Sequence, residues 1–179
     1  EITYDTIIKY LCSESRSNFS TKKNFMSKNF PKELKEKLDP TFFRYGIQCY
    51  DDEQNNISFL SSVIHLLDKQ YITMDKSEQI SLIKNIKIQL KEYLDKNYSK
   101  YPLKKKFTKY SSNECLKDNK VTPLFVDLVS YILKVNLIIF DFEKTDVINA
   151  VCCDEIFNPW RPCLILAKSN DFWEPIYSN

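Results

Sequence analysis

Asn55-Asn56-Ile57-Ser58-Phe59-Leu60-Ser61-Ser62-Val63 is the stretch on which the fold of this chain turns. Asn55 or Asn56 can cap a helix, because a short amide side chain accepts the N–H groups that a first turn leaves unpaired. The helix so started, Ser58 to Lys69, carries Phe59, Leu60, Val63, Ile64, Leu66 and Leu67 on most of its sides. A helix that is apolar nearly all round belongs inside a core. It is expected to be the element on which the rest packs.

On the N-terminal side, Phe42 to Tyr50 is aromatic and is expected to lie against that core. Pro31 can open a short helix, Glu33 to Leu38, ended by Asp39-Pro40. Residues 13–30, rich in Ser, Asn and Lys, are expected to be a mobile connector. Before them, Tyr4, Ile7, Ile8 and Leu11 stand at helical spacing. On the C-terminal side, Asp75 or Ser77 caps a long amphipathic helix over about 79–96, with Ile80, Ile83, Ile86, Leu90 and Leu94 along one face. Tyr98 to Asp118 is basic and without period, so it is expected to be irregular. Thr122 and Pro123 open another helix, to about Lys134. Strands follow at Asn136–Phe142, Val147–Cys152, Cys163–Lys168 and Trp173–Tyr177. Helices first and strands last predict an α+β domain, a helical N-terminal half packed on a small, mostly antiparallel C-terminal sheet.

At 179 residues, with 43% hydrophobic and 14% aromatic content, the chain can bury one sizeable core. It is expected to be a single domain, residues 1–40 being a helical extension and 41–179 the core. It begins at Glu1 without Met and is expected to be part of a longer protein. The longest apolar run, Val135 to Phe142, is broken by Asn136 and Asp141 and suits a buried strand, so no membrane span is expected. Six cysteines allow three disulfides, but a chain with this much core needs no staples, and they are expected to be reduced in an intracellular, cytoplasmic protein. A net charge of +2 calls for neither nucleic acid nor membrane by itself. The single glycine, Gly46, rules out loops that need glycines at fixed spacing around a phosphate, and no cofactor is expected.

The stretch around Ser58 has a counterpart in Pro162-Cys163-Leu164-Ile165-Leu166, followed by Phe172-Trp173-Glu174-Pro175-Ile176. Together the two resemble the halves of a cysteine-protease site of the OTU, papain-like kind. Such a family places its catalytic Cys where this chain has Ser58, its His where this chain has Phe172, and its orienting residue where this chain has Glu174. The resemblance covers about residues 45–70 and 123–177. It implies an OTU-like fold whose site is catalytically degenerate. Similar degenerate sites belong to large proteins of nucleocytoplasmic large DNA viruses such as African swine fever virus, and the Lys-, Asn- and Ile-rich composition is that of AT-rich coding. The resemblance thus implies a non-catalytic interaction or scaffold module in a larger viral assembly, in a viral factory or virion. Its partners would be viral RNA polymerase subunits or capsid proteins, with ubiquitin a further candidate.

A hydrolase of this kind needs a nucleophile, a base about 3 Å away and an orienting group. The sole histidine, His65, is seven residues beyond Ser58 on the same helix, about 10 Å along its axis. Phe172 cannot take a proton. The alternative is an active thiol hydrolase of unusual layout, with Cys49 as a nucleophile of lowered pKa and His65 as its base. A second alternative is a nucleic-acid module in which Lys104, Lys105, Lys106 and Lys109 are interleaved with Tyr101, Phe107 and Tyr110. Lys22, Lys23, Lys32, Lys35 and Lys37 would extend such a patch. No metal is expected, since Cys152 and Cys153 are adjacent on a strand and point to opposite faces. The acidic groups at Asp51-Asp52-Glu53, Asp141/Glu143 and Asp154-Glu155 have the bland reading of solvated loop carboxylates.

Overall fold

In a computed structural model, the structure describes residues 42–47, 49–100, 108–117, 121–141, 148–151, 160–169 and 171–178. The expected helices at 3–12 and 33–38, the connector at 13–30, Lys104–Lys106 and Cys152-Cys153 lie outside them. The described chain runs β1 (Phe42–Arg44), α1 (Ser58–Leu67), α2 (Lys76–Asn97), α3 (Lys109–Lys117), α4 (Pro123–Leu133), β2 (Asn136–Asp141), β3 (Ile148–Val151), β4 (Cys163–Ser169) and β5 (Phe172–Ser178). The class is α+β. The strands form one mixed sheet in the order β1-β5-β4-β2-β3. Three of its pairings are antiparallel, and only β2 with β4 is parallel.

The local reasons match the chemistry of the chain. Asp75 caps α2 in a reciprocal box: its carboxylate accepts from the Glu78 N–H at 2.9 Å, and Glu78 accepts from the Asp75 N–H at 3.0 Å. Thr122 caps α4 by accepting from the Phe125 N–H at 3.2 Å, with Pro123 in the first turn. That helix stops at Lys134, which takes a left-handed φ of 55° and sends the chain into β2. All six residues of β2 are buried, so both its faces are covered.

α1 is central, as its composition requires. Ser58 through His65 are buried in an unbroken row. Phe59 packs edge-on against Phe125 of α4 and Trp173 of β5, with ring centroids 5.6 and 4.9 Å apart. Ile80, Ile83, Leu90 and Leu94 of α2 close the core from one side.

Two elements differ from expectation. Residues 109–117 are helical, not irregular: the Thr108 hydroxyl accepts from the Ser111 N–H at 3.1 Å, and Lys109 pairs with Asp95 of α2 at 3.4 Å. A strand also precedes the helices, since Phe42–Arg44 pairs with Ser178–Ile176 and adds β1 to the edge of the sheet.

Candidate functional site

The two separated segments meet. The backbone N–H of Trp173 donates to the Ser58 hydroxyl at 3.1 Å, across 115 residues. That hydroxyl in turn donates to the Asn56 side-chain oxygen at 2.7 Å. The same oxygen accepts from the Ser58 N–H at 2.9 Å, an Asx-turn just ahead of the helix rather than the expected Asn cap, since the N-cap position is Ile57 and no side chain caps it. The other end of the amide donates to the Asp171 carbonyl at 2.7 Å, at the tip of the β4–β5 hairpin. Asn56 therefore ties the start of the helix to the start of β5.

Strand alternation sorts the residues that follow. Phe172 and Glu174 fall on one face of β5 and Trp173 on the other. Trp173 enters the core at 3% exposure, whereas Phe172 is 39% exposed. The Phe172 ring meets Tyr50 edge-on at 5.7 Å, and Tyr50 is also 39% exposed. A bridge between Tyr50 and Asn56 and a 2.8 Å bond from the Ile57 N–H to the Cys49 carbonyl hold this strand-like segment beside the helix start. Upstream, Asp51 organises the turn that leads in. Its carboxylate accepts from the Glu53 and Asn55 backbone N–H groups and from the Asn55 amide, at 2.8 to 3.0 Å. Burial would raise its pKa, but these donors outweigh burial and hold it below the usual carboxylate range. The turn carries Gln54 at a φ of 63°, a cost these bonds offset.

The chemistry of the cluster follows from these contacts. Ser58 is fully buried, and its hydroxyl proton is given to an amide oxygen, which is no base. The Phe172 ring offers none either. The Cys49 thiol is pushed up by burial first and by the Glu174 carboxylate second. That direction is opposite to the one an activated thiolate requires. His65 is not at this end of the helix. It lies under Tyr45, Tyr71 and Tyr177, with Nδ1 hydrogen-bonded to the Tyr177 hydroxyl. Burial drops its pKa to about 4. Cys49 with His65 as base thus loses support on both thiol and geometry.

The remaining candidates are scattered. Lys109 pairs with Asp95 of α2 at 3.4 Å, and the Lys104–Lys106 stretch lies outside the described residues. Among the described residues no group of three or more His, Cys, Asp or Glu side chains could hold a metal ion. Cys49 and Cys163 are not in disulfides. No helix among the described residues is long and apolar enough to cross a membrane. A small surface pocket lies at the helix start between Asn56, Ile57, Phe59, Leu60, Ile83 and Phe125. Neither Phe172 nor Glu174 lines it. Sequence reasoning missed Asn56 as the hub and Tyr50 as the partner of Phe172; the Asn-x-Ser spacing, an Asx-turn pattern, was the available signal for the first.

No family model, curated protein or solved structure matches this chain.

Proposed function

We propose that this is a protease-like domain without catalysis, an OTU-like interaction module that serves a larger viral assembly, attached to its transcription machinery or capsid. One observation carries the proposal. The helix that starts at Ser58 and the strand that starts at Phe172 are joined through the Ser58 hydroxyl and the Trp173 N–H at 3.1 Å. These are the positions where the resemblance puts a nucleophile and its base, and here they carry a buried, doubly bonded hydroxyl and a phenyl ring. A hydroxyl held this way stabilises a join between two elements. It has no base to give its proton to.

With the chemistry gone, what the same corner offers outward is the Tyr50–Phe172 pair. Half-exposed aromatics beside a rigid helix start are suited to contact a protein, because large rings bury much area at little entropy cost. The partner proposed is a protein subunit of the assembly, either an RNA polymerase subunit or a capsid protein.

The test has two arms. The chain is incubated with ubiquitin dimers, and the expected result is no cleavage; cleavage that disappears in Ser58→Ala or Cys49→Ala would overturn the absence of catalysis. In parallel, the chain is captured from cells making its parent protein and the bound proteins are identified. Recovery of polymerase or capsid subunits, lost in a Tyr50→Ala, Phe172→Ala double variant, is expected. Their retention by that variant removes the aromatic pair from the proposal, and recovery of ubiquitin alone replaces the partner.

A further inference from the structure

We propose that His65 is an acid-sensitive latch, whose protonation releases β1 and the end of β5 from the central helix. This inference stands apart from the protease-like reading and uses none of its residues. His65 sits in the last turn of α1 at 4% exposure. Its Nδ1 and the Tyr177 hydroxyl of β5 share a hydrogen bond. That hydroxyl also donates to the His65 carbonyl at 2.9 Å. A hydroxyl has one proton, so with the carbonyl taking it the ring Nδ1–H is the donor to the phenol oxygen.

The surroundings decide what acid does. Tyr45 lies 4.7 Å from the imidazole and reaches it from the segment after β1; Tyr177 comes from β5 at 5.5 Å and Tyr71 from the turn after α1 at 6.2 Å. Among the described residues these three phenols are the ionisable groups whose rings face it. Burial pushes Tyr177 up, with Tyr45 adding to it, and it pushes Tyr71 up against a hydrogen bond to Ser61. Burial lowers His65, and among the described residues no carboxylate acts on it. An imidazolium formed here is buried and meets no counter-charge among the described residues, so the folded cluster resists it and the opened cluster accepts it.

The opening should be local before it is global. β1 has three residues and, among the described residues, a single neighbour, β5. Tyr45 follows it directly, and the Tyr45 N–H donates to the Pro175 carbonyl at 3.0 Å. An edge strand with three register pairs is the cheapest part of the sheet to release. Moving Tyr45 and Tyr177 aside wets the imidazole without disturbing the Phe59–Trp173 contact at the other end of the helix.

His65 is the sole histidine, so its ring resonance needs no assignment. The full chain is titrated by NMR from pH 7.5 to 4.5, with amide protection factors measured at each step. The expected result is a ring that stays neutral while the latch is closed, and protection at residues 43–45 and 176–178 that falls by up to roughly tenfold per pH unit below 6.5 while α2 keeps its own. His65→Gln, which can still bond Tyr177, is expected to flatten that dependence. A ring that titrates near its ordinary value with protection unchanged would overturn the latch. So would the same slope in His65→Gln, or a loss of protection shared equally by α2. Should His65→Gln not fold, the wild-type ring titration and protection map still decide.

Discussion

The two ends of α1 dock on the same strand by opposite means. At the N-terminal end, Ser58 meets β5 through neutral hydrogen bonds in which every partner is satisfied: the Trp173 N–H, the Ser58 hydroxyl and the Asn56 amide. At the C-terminal end, His65 meets β5 through a titratable ring enclosed by phenols. The hydrogen bonds of the first join use no titratable group, and the second join is made by the imidazole itself. The same helix–strand contact is thus indifferent to acid at one end and sensitive to it at the other. A protease would need its titratable group at the first end, beside the helix start, and this chain carries its only histidine at the second.

The largest effect is expected from the apolar half of the N-terminal join. Trp173 is 3% exposed and lies edge-on to Phe59. Trp173→Ala removes a large buried aromatic, and a loss of about 3–5 kcal/mol is expected in urea unfolding. The loss should be the same at pH 7.5 and at pH 5, because the rings and hydrogen bonds of that join include no titratable group. A cost that grows as pH falls would mean that the two ends are coupled and would break the contrast.

Next in size is the acid effect of His65. Its folded value of about 4 lies below the ordinary 6.5, so between these values the unfolded chain binds a proton that the folded chain refuses. Stability is therefore complete above pH 6.5 and is lost as pH falls towards 4, by about 3 kcal/mol in all. Asp51, held below its ordinary 3.8, acts lower down, and the comparison with His65→Gln isolates the imidazole from the other carboxylates. Denaturation midpoints of wild type and His65→Gln should converge at the acid end of that window; parallel curves would count against the enclosure of the ring.

How much of this was legible in the sequence follows the same divide between local and distant causes. The apolar run from Phe59 to Leu67, the amphipathic face of α2 and the strands at 136, 163 and 172 were readable because their periodicities lie within each segment. The α+β order was readable with them. β1 was not, since three residues carry no period and become a strand only through β5. α3 was missed because Leu116 is the one large aliphatic residue in Lys109–Lys117, although Thr108 ahead of it was a capping signal. At the site, Ser58, Phe172 and Glu174 could be singled out from the two segments that carry them. That Ser58 bonds Trp173, and that Phe172 pairs with Tyr50, depends on contacts more than a hundred residues apart.

A smaller effect separates the hydroxyl of Ser58 from the packing around it. Ser58→Ala leaves the buried Trp173 N–H without its acceptor and the Asn56 oxygen with one donor fewer. Unmade buried hydrogen bonds cost about 1–3 kcal/mol. The expected loss lies in that range, independent of pH, with faster amide exchange at Trp173. Ser58→Cys keeps a weak donor and acceptor and should recover part of it. If Ser58→Ala is neutral, the hydroxyl does not tie the helix to the strand, and the case for a site turned into a structural join loses its physical basis.

The smallest effect supplies the control for all of these. Asp75 caps α2 through Glu78 and touches neither end of α1. Replacing such a cap by Ala costs typically about 1 kcal/mol, so Asp75→Ala should lower global stability by an amount close to the weaker Ser58 outcome. The two variants then differ only in where the loss is felt. Asp75→Ala should raise amide exchange in the first turn of α2 and leave Trp173 and the β1 edge protected. Ser58→Ala should do the reverse. Were both to loosen β5 equally, the strand would be responding to overall stability rather than to its own contacts with α1, and the distinction between a neutral and a titratable end could no longer be drawn from local protection.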